Sequence, residues 1–101
     1  MEIIKTKEEN KMTIALEGRL DTTTAPSLDA VVTSELEDVT ELVYDFDKLE
    51  YVSSAGLRVL LRSQKAMNGK GGSMLIKNVN ADIMEVFEMT GFSSVLNVEA
   101  K

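Results

Sequence analysis

The chain contains no cysteine and no histidine among its 101 residues. Without cysteine it can form neither disulfides nor the zinc sites that are built on thiolates. Without histidine it lacks the commonest general base and the commonest imidazole ligand, so a Ser-His-Asp hydrolase cannot be assembled from it. A serine–lysine arrangement remains formally open, but no motif supports it. The composition therefore argues against the most familiar catalytic and metal sites of small domains.

Basic residues are outnumbered in this chain, and long apolar runs are missing. Its 11 lysines and arginines face 17 aspartates and glutamates, which gives a formal net charge of −6. This charge repels nucleic acid unless a basic patch overrides it, and the sequence shows no such patch. No stretch approaches the ~20 apolar residues that span a bilayer. Residues 1–5 carry an acidic side chain where a secretory signal has positive charges. We expect a cytoplasmic protein that neither binds nucleic acid nor inserts into a membrane.

The first half of the chain predicts a hairpin followed by a helix. Residues 3–7 and 12–16 alternate apolar and polar side chains on either side of a polar turn, which is typical of two antiparallel strands. Gly18 is predicted to end this hairpin. Threonines at 22–24 precede Ala25-Pro26, and a hydroxyl cap followed by proline in the first turn indicates the start of a helix. The apolar positions of that helix are Leu28, Val31, Val32 and Leu36.

The second half of the chain predicts alternating strands and helices. Residues 40–46 are almost continuously apolar, as expected for a strand covered on both faces, and residues 73–77 predict the next strand. Residues 95–98 predict a short final strand or an extended tail. Two helices are indicated by apolar side chains at helical spacing. Their apolar positions are Leu57, Leu60, Leu61 and Met67 in the first helix and Val79, Ile83, Val86 and Phe87 in the second, which Gly91 is expected to cap.

The length and the order of the elements predict one small α/β domain. At 44% hydrophobic residues, 101 residues can bury one modest core and leave no room for a second. No internal repeat, low-complexity segment or linker interrupts residues 1–101. Strand–helix–strand connections within one sheet are right-handed parallel crossovers. Because these crossovers follow an antiparallel hairpin, we expect a mixed sheet.

A serine-rich turn, Ser53-Ser54-Ala55-Gly56, lies between a predicted strand and a predicted helix. A hydroxyl in the first turn of a helix lies beside unpaired backbone N–H groups and the positive end of the helix dipole. A phosphate attached there would be stabilised locally while it changed the surface sharply. Such a position suits a switch better than a catalyst. The plainer interpretation is that a serine caps the helix while Gly56 permits close packing of helix on sheet.

The same segment resembles the STAS domain, and within that group the small free-standing anti-sigma factor antagonists of bacteria. The pattern of that family is a strand, then (Asp/Ser)-Ser-(Ser/Ala)-Gly-Leu and a leucine-rich helix, which corresponds here to Ser53–Leu57. Gly18–Asp21 is similar to the family's Gly-x-(Leu/Ile)-Asp, and Met89–Phe92 is similar to the turn that closes its last helix. The matches span nearly the whole chain in the expected order. The resemblance therefore implies one STAS-like domain over residues 1–101, with helices packed mainly on one face of the mixed sheet.

The resemblance also implies a function without catalysis. An anti-sigma factor antagonist binds an anti-sigma factor that has serine kinase activity, and so frees a sigma factor. Phosphorylation by that partner prevents rebinding, and a serine phosphatase of the PP2C type resets the cycle. The domain itself needs no cofactor, because ATP belongs to the kinase, and a monomer is the expected state. The implied phosphoacceptor is Ser54, with Ser53 as second choice, and the implied partner-binding and phosphosite surroundings are Asp21, Ser53, Ala55, Gly56, Leu57 and Arg58.

Three positions leave alternatives open. Many family members have aspartate before the acceptor serine, whereas this chain has Ser53, so two adjacent hydroxyls compete for the modification. Asp21 either supplies the missing charge beside the serine turn or forms an ordinary Asx turn. Arg58 follows Ser54 by four residues, which is the spacing of neighbours on one helical face, so it either accepts part of the phosphate charge or remains a solvated or partner-contacting arginine.

Two other functions are compatible with the sequence. A STAS-like subunit can serve as a scaffold or as an accessory subunit of lipid transport without any phosphorylation, and the serine at position 53 favours that alternative. A nucleotide-binding role is the second alternative. Against it, the glycine cluster at residues 69–72 follows a predicted helix and precedes a strand, whereas a phosphate-binding P-loop runs from strand to helix.

Overall fold

A computed structural model describes residues 1–101 and contains five β-strands and three α-helices. The strands alternate with the helices after an opening pair of strands, as the hydrophobic pattern predicts. The strands are β1 (Glu2–Glu8), β2 (Lys11–Leu20), β3 (Glu41–Val52), β4 (Ser73–Val79) and β5 (Val98–Ala100). The helices are α1 (Ala25–Ser34), α2 (Ser54–Gly69) and α3 (Ala81–Thr90), and a short 3-10 turn covers Phe92–Ser94.

The five strands form one mixed sheet in the order β1-β2-β3-β4-β5. The first two are antiparallel, and every later neighbour is parallel. Between β1 and β2 the chain turns at Glu9 and Asn10, and Glu9 takes the left-handed conformation that such a tight turn needs, with a φ of 56°. The predicted mixed α/β sheet with its opening hairpin is confirmed.

The hydrophobic core lies on one face of the sheet. On β2, Met12, Ile14 and Leu16 are buried, whereas the alternate residues Thr13 and Ala15 are only partly covered. Because successive side chains of a strand point to opposite faces, this alternation shows that the helices cover one face and leave the other more open. Helix residues join the same continuous cluster, which confirms helices packed mainly on one side. Those helix residues are Ala25, Leu28, Val31, Val32, Leu57, Val59, Leu60, Met67, Ile83 and Phe87.

The central strands are longer than the sequence predicts. Gly18 ends the hairpin as predicted, since the pairing of β1 with β2 stops at Glu17, but β2 itself continues to Leu20 beside β3 through a shift of register at this glycine, whose φ is +103°. The predicted end of the next strand at residue 46 was wrong, since β3 continues to Val52. The polar residues after Phe46 belong to β3, where Lys48 pairs with Glu17 of β2, and the last pair joins Leu20 to Val52. Both strands therefore end side by side, at the point where the serine turn begins.

Smaller corrections concern the end of the chain. Val79 is the last residue of β4 and not the start of a helix. The last strand is Val98–Ala100 and not residues 95–98, because the 3-10 turn at Phe92–Ser94 occupies the preceding segment. Gly91 ends α3 in the left-handed conformation, with a φ of +79°, which confirms it as the C-cap.

Helix α2 buries an apolar stripe and two polar residues, Ser63 and Gln64. Leu57, Leu60 and Met67 are buried as predicted, but Leu61 is only half-buried. Between these leucines and the methionine, the buried positions belong to Ser63 and Gln64. The stripe predicted from apolar spacing was therefore wrong at Leu61, because a buried serine lies on the inner face and is hidden from a count of hydrophobic residues.

A buried hydrogen bond connects Ser63 of α2 to the central strand. The Ser63 hydroxyl donates to the carbonyl oxygen of Val59 at 2.9 Å, and the Tyr44 hydroxyl lies 2.7 Å from the Ser63 oxygen. Since the single hydroxyl proton of Ser63 is used, Tyr44 is the donor in this pair. Burial raises the pKa of Tyr44, so its hydroxyl stays protonated. This pair fixes the rotation of α2 about its axis, and with it the direction in which the exposed residues of α2 point.

Candidate functional site

The serine turn continues directly from the sheet. The backbone N–H of Ser53 donates to the carbonyl oxygen of Leu20 at 2.8 Å, which adds one more hydrogen bond after the last β2–β3 pair. One residue later, at Ser54, the chain is helical. The turn is therefore held by the sheet on one side and by α2 on the other, and rigid elements place its side chains with little freedom.

The two adjacent serines have different roles in the structure. Ser53 is the N-cap of α2: its backbone is extended, with a φ of −91° and a ψ of 173°, and its hydroxyl oxygen accepts a hydrogen bond from the Gly56 N–H at 3.3 Å. Ser54 is in the first turn of the helix and is exposed, and its hydroxyl takes part in none of the side-chain hydrogen bonds within the chain. The hydroxyl that is free to react belongs to Ser54.

Gly56 allows the start of α2 to approach the end of β2. A Cβ atom at this position would lie 2.7 Å from Cγ of Leu20 and 3.1 Å from the Leu20 carbonyl oxygen. Any side chain would therefore overlap a buried leucine and the backbone oxygen that binds Ser53. The close packing expected of this glycine is present.

Asp21 organises the loop next to the serine turn. Its carboxylate oxygen Oδ1 accepts hydrogen bonds from the backbone N–H groups of Thr24 at 3.1 Å and Thr23 at 3.0 Å, and these bonds hold the pKa of Asp21 below its usual value. The Asx-turn interpretation of Asp21 is confirmed. A hydroxyl cap of α1 was predicted from the threonines at 22–24, which is wrong, because Thr24 holds the N-cap position but its hydroxyl donates to the carbonyl oxygen of Arg19 at 2.8 Å.

Asp21 also lies near the serine turn in space, since the Ser53 N–H donates to the carbonyl oxygen of Leu20, the residue before Asp21. No hydrogen bond joins the carboxylate to either serine; its nearest cation is the Arg19 guanidinium, at 3.9 Å from Nε to Oδ2. A contribution of Asp21 to partner binding therefore remains a prediction.

The predicted surroundings of Ser54 divide into buried and accessible residues. Gly56 and Leu57 are buried, so they pack the start of α2 against the core and are not accessible to a partner. Ala55 is partly covered and Arg58 is exposed, and both line a shallow groove between α1 and α2 with a volume of about 240 Å³. The accessible residues around Ser54 are thus a small apolar side chain and a cation. Their role in partner binding stays a prediction.

Two tertiary contacts near the turn were not predicted. Nη1 of Arg62 donates to both carboxylate oxygens of Asp29, at 2.8 and 2.9 Å, and joins α2 to α1 across the groove. The Arg19 guanidinium lies over the ring of Tyr51, 4.2 Å from its centroid. The first pair is 33 residues apart and leaves no local signal. In the second pair, Arg19 and Tyr51 are directly opposite each other on β2 and β3. A prediction that extended β3 as far as Val52 would have placed them together.

Replacement of Ser53 by alanine is expected to destabilise the protein by about 1 kcal/mol, because the Gly56 N–H loses its acceptor at the start of α2. The free energy of unfolding, measured in urea, tests this. The matched control is Ser54→Ala, which removes an exposed hydroxyl with no partner and should change stability by less than about 0.5 kcal/mol. Equal losses for the two variants would contradict the different roles of the two serines.

Known proteins align with nearly the whole of this chain. Over 99 residues the chain is 29% identical to BtrV of Bordetella bronchiseptica, a candidate anti-sigma factor antagonist, covering 97% of this chain and 85% of that protein. It is 28% identical over 99 residues to the anti-sigma-B factor antagonist of Staphylococcus aureus, covering 97% and 92% respectively. The phosphorylated form of the Bacillus cell fate determinant SpoIIAA superposes with a TM-score of 0.79 at 18% identity, covering 99% and 92% of the two chains.

No helix of the structure is both long and apolar enough to cross a membrane. The model of the STAS domain family matches residues 2–101, which is all but the first residue. With the mixed sheet, the opening hairpin and the strand–turn–helix at Ser53–Leu57 in place, this match shows that the chain belongs to the STAS domain family.

Proposed function

We propose that this chain is an anti-sigma factor antagonist, which binds an anti-sigma factor with serine kinase activity and thereby frees a sigma factor. Relatives that carry this function in their names match the chain over nearly its full length. The structural observation that supports the proposal best is the exposed hydroxyl of Ser54, which lies on a rigid turn without a hydrogen-bond partner. No catalytic group is needed in the chain for this role.

Ser54 is the proposed phosphoacceptor. Its oxygen attacks the γ-phosphorus of ATP bound to the partner, the bond from that phosphorus to the β–γ bridging oxygen breaks, ADP leaves, and the hydroxyl proton passes to a base of the kinase. Ser53 is the poorer acceptor, because its oxygen is held by the Gly56 N–H and its reaction would cost α2 its cap. A serine phosphatase of the PP2C type would hydrolyse the phosphoserine and restore the binding form.

The order of events follows from where the modification lies. A docking surface around the serine turn includes the accessible Ala55 and Arg58. A phosphate on Ser54 introduces about −1.5 to −2 charge at neutral pH into this surface. A partner that docks there would have to bury that charge, so rebinding is prevented until the phosphate is removed.

The test is a reconstitution with the anti-sigma factor encoded nearest to this gene, its sigma factor and ATP. The unmodified chain is expected to form a complex with the anti-sigma factor and to release the sigma factor. Mass spectrometry is expected to place one phosphate on Ser54 in the native chain and in Ser53→Ala, and none in Ser54→Ala. A phosphate on Ser53 would correct the acceptor. Binding without any phosphate transfer would instead support the scaffold function, and the absence of binding would contradict the proposal.

A further inference from the structure

We infer that Arg58 binds the phosphate of phosphorylated Ser54 and neutralises part of its charge within the chain. This inference rests on the modification of Ser54 proposed above and adds its internal counter-charge. Residues four apart on a helix are neighbours on one face. Helix α2 is continuous from Ser54 to Gly69, so Arg58 lies one turn after the modified residue.

Arg58 has no other ionic partner in the chain. It is exposed and takes part in none of the ion pairs of the structure. The other arginines near the turn are engaged elsewhere. Arg62 donates to both oxygens of the Asp29 carboxylate, and Arg19 lies over the Tyr51 ring. Of these three arginines, Arg58 is therefore the one that can turn toward a new anion without breaking an existing contact.

The chemistry of the guanidinium suits this role. Its planar fork of N–H donors matches two oxygens of a phosphate and forms charge-assisted hydrogen bonds. The phosphate would also lie beside the unpaired N–H groups and the positive end of the α2 dipole, which favour the same anion. Because the helix holds the backbones of both residues in place, the entropy cost of the pair is confined to their side chains.

This pairing changes what phosphorylation does to the surface. In the unmodified chain Arg58 lines the groove between α1 and α2 and is available to an acidic group of a partner. In the modified chain its guanidinium is occupied by the phosphate. Phosphorylation thus adds an anion to the docking surface and at the same time withdraws a cation from it, so one covalent event disfavours docking in two ways.

The test uses protein with phosphoserine introduced at position 54 by amber suppression, so it needs no kinase. The second pKa of the phosphate, near 6 in an unconstrained phosphoserine, is measured by phosphorus NMR titration. A nearby cation stabilises the dianion and lowers this pKa, so removing the cation raises it. We expect Arg58→Ala to raise the phosphate pKa by about 0.5, as for an exposed ion pair, and Arg58→Lys to raise it by less.

Lys65→Ala is the matched control, since it removes a cation of the same helix that lies about three turns after Ser54. It is expected to leave the phosphate pKa unchanged. An unchanged pKa in Arg58→Ala, or equal shifts in both variants, would overturn the inference and leave the proposed function intact. Failure of the kinase to modify Ser54 would remove the proposed function while the titration could still show the pairing.

Discussion

Phosphorylation of Ser54 is expected to weaken the complex between this chain and its anti-sigma factor by about 100-fold or more, which corresponds to about 2.7 kcal/mol. Ser54 is exposed in the unmodified chain, so a partner that docks on the turn covers it directly. Burying an uncompensated charge costs several kcal/mol, and a phosphate carries more charge than a carboxylate. Pairing with Arg58 reduces this cost without removing it, because the guanidinium neutralises only part of a dianion. The measurement is isothermal titration calorimetry of the phosphorylated and unmodified chains.

Two variants serve as controls for that measurement. Ser54→Ala should bind as tightly as the native chain, because the hydroxyl makes no hydrogen bond that the fold requires. Ser54→Asp should bind with intermediate affinity, since its side chain carries a single charge and fewer acceptor oxygens than phosphate. Equal affinities of the phosphorylated and unmodified chains would contradict a switch at this position.

Replacement of Gly56 by alanine is expected to lower the free energy of unfolding by about 1–3 kcal/mol, the usual cost of overpacking. The added Cβ would lie 2.7 Å from Cγ of Leu20, a side chain that is fully buried. It would also lie 3.1 Å from the carbonyl oxygen of Leu20, which binds the Ser53 N–H. Relief of these contacts moves the start of α2 away from β2, and we therefore expect slower phosphorylation of Ser54 as well. Urea unfolding and the rate of phosphate transfer test the two effects.

Gly69→Ala is the matched control for that substitution. Gly69 is the last residue of α2, and a Cβ atom there would meet no atom within 4 Å. Alanine is favoured over glycine in a helix by roughly 0.5–1 kcal/mol, so this variant should be as stable as the native protein or slightly more stable. Similar losses of stability in both variants would show that the packing of Gly56 on Leu20 is not what limits the turn.

The fold was largely predictable from the pattern of hydrophobic residues. The pattern of hydrophobic residues follows from which faces of each element are buried. It alternates in the opening strands, is nearly continuous at residues 40–46 and has helical spacing between them, so each element could be recognised from the sequence. The ends of β2 and β3 were not predictable in this way. Gly18 and the polar residues after Phe46 have the composition of strand exits, yet they stay in the sheet because each strand supplies the hydrogen-bond partners of the other.

The buried pair of Tyr44 and Ser63 was not predictable either, because it also depends on a partner from another element. Ser63 is a polar residue of α2, and its burial depends on a hydrogen bond with the Tyr44 hydroxyl, 19 residues earlier in the chain. A hydroxyl can be buried when its hydrogen bonds are satisfied. Only the packing of α2 on β3 shows that they are.

By itself the sequence determined the order of the elements and the position of the serine turn, because periodicity and turn chemistry act over a few neighbouring residues. It also placed Arg58 on the face of Ser54, since helical spacing is local. The tertiary structure alone decided which serine caps the helix and which stays free, and which arginine is engaged by Asp29. The first distinction depends on where β3 ends beside β2, where the Ser53 N–H binds the Leu20 carbonyl oxygen, and the second depends on the contact of Arg62 with Asp29. Both contacts join residues far apart in the chain, which meet only when the strands pair and the helices pack together.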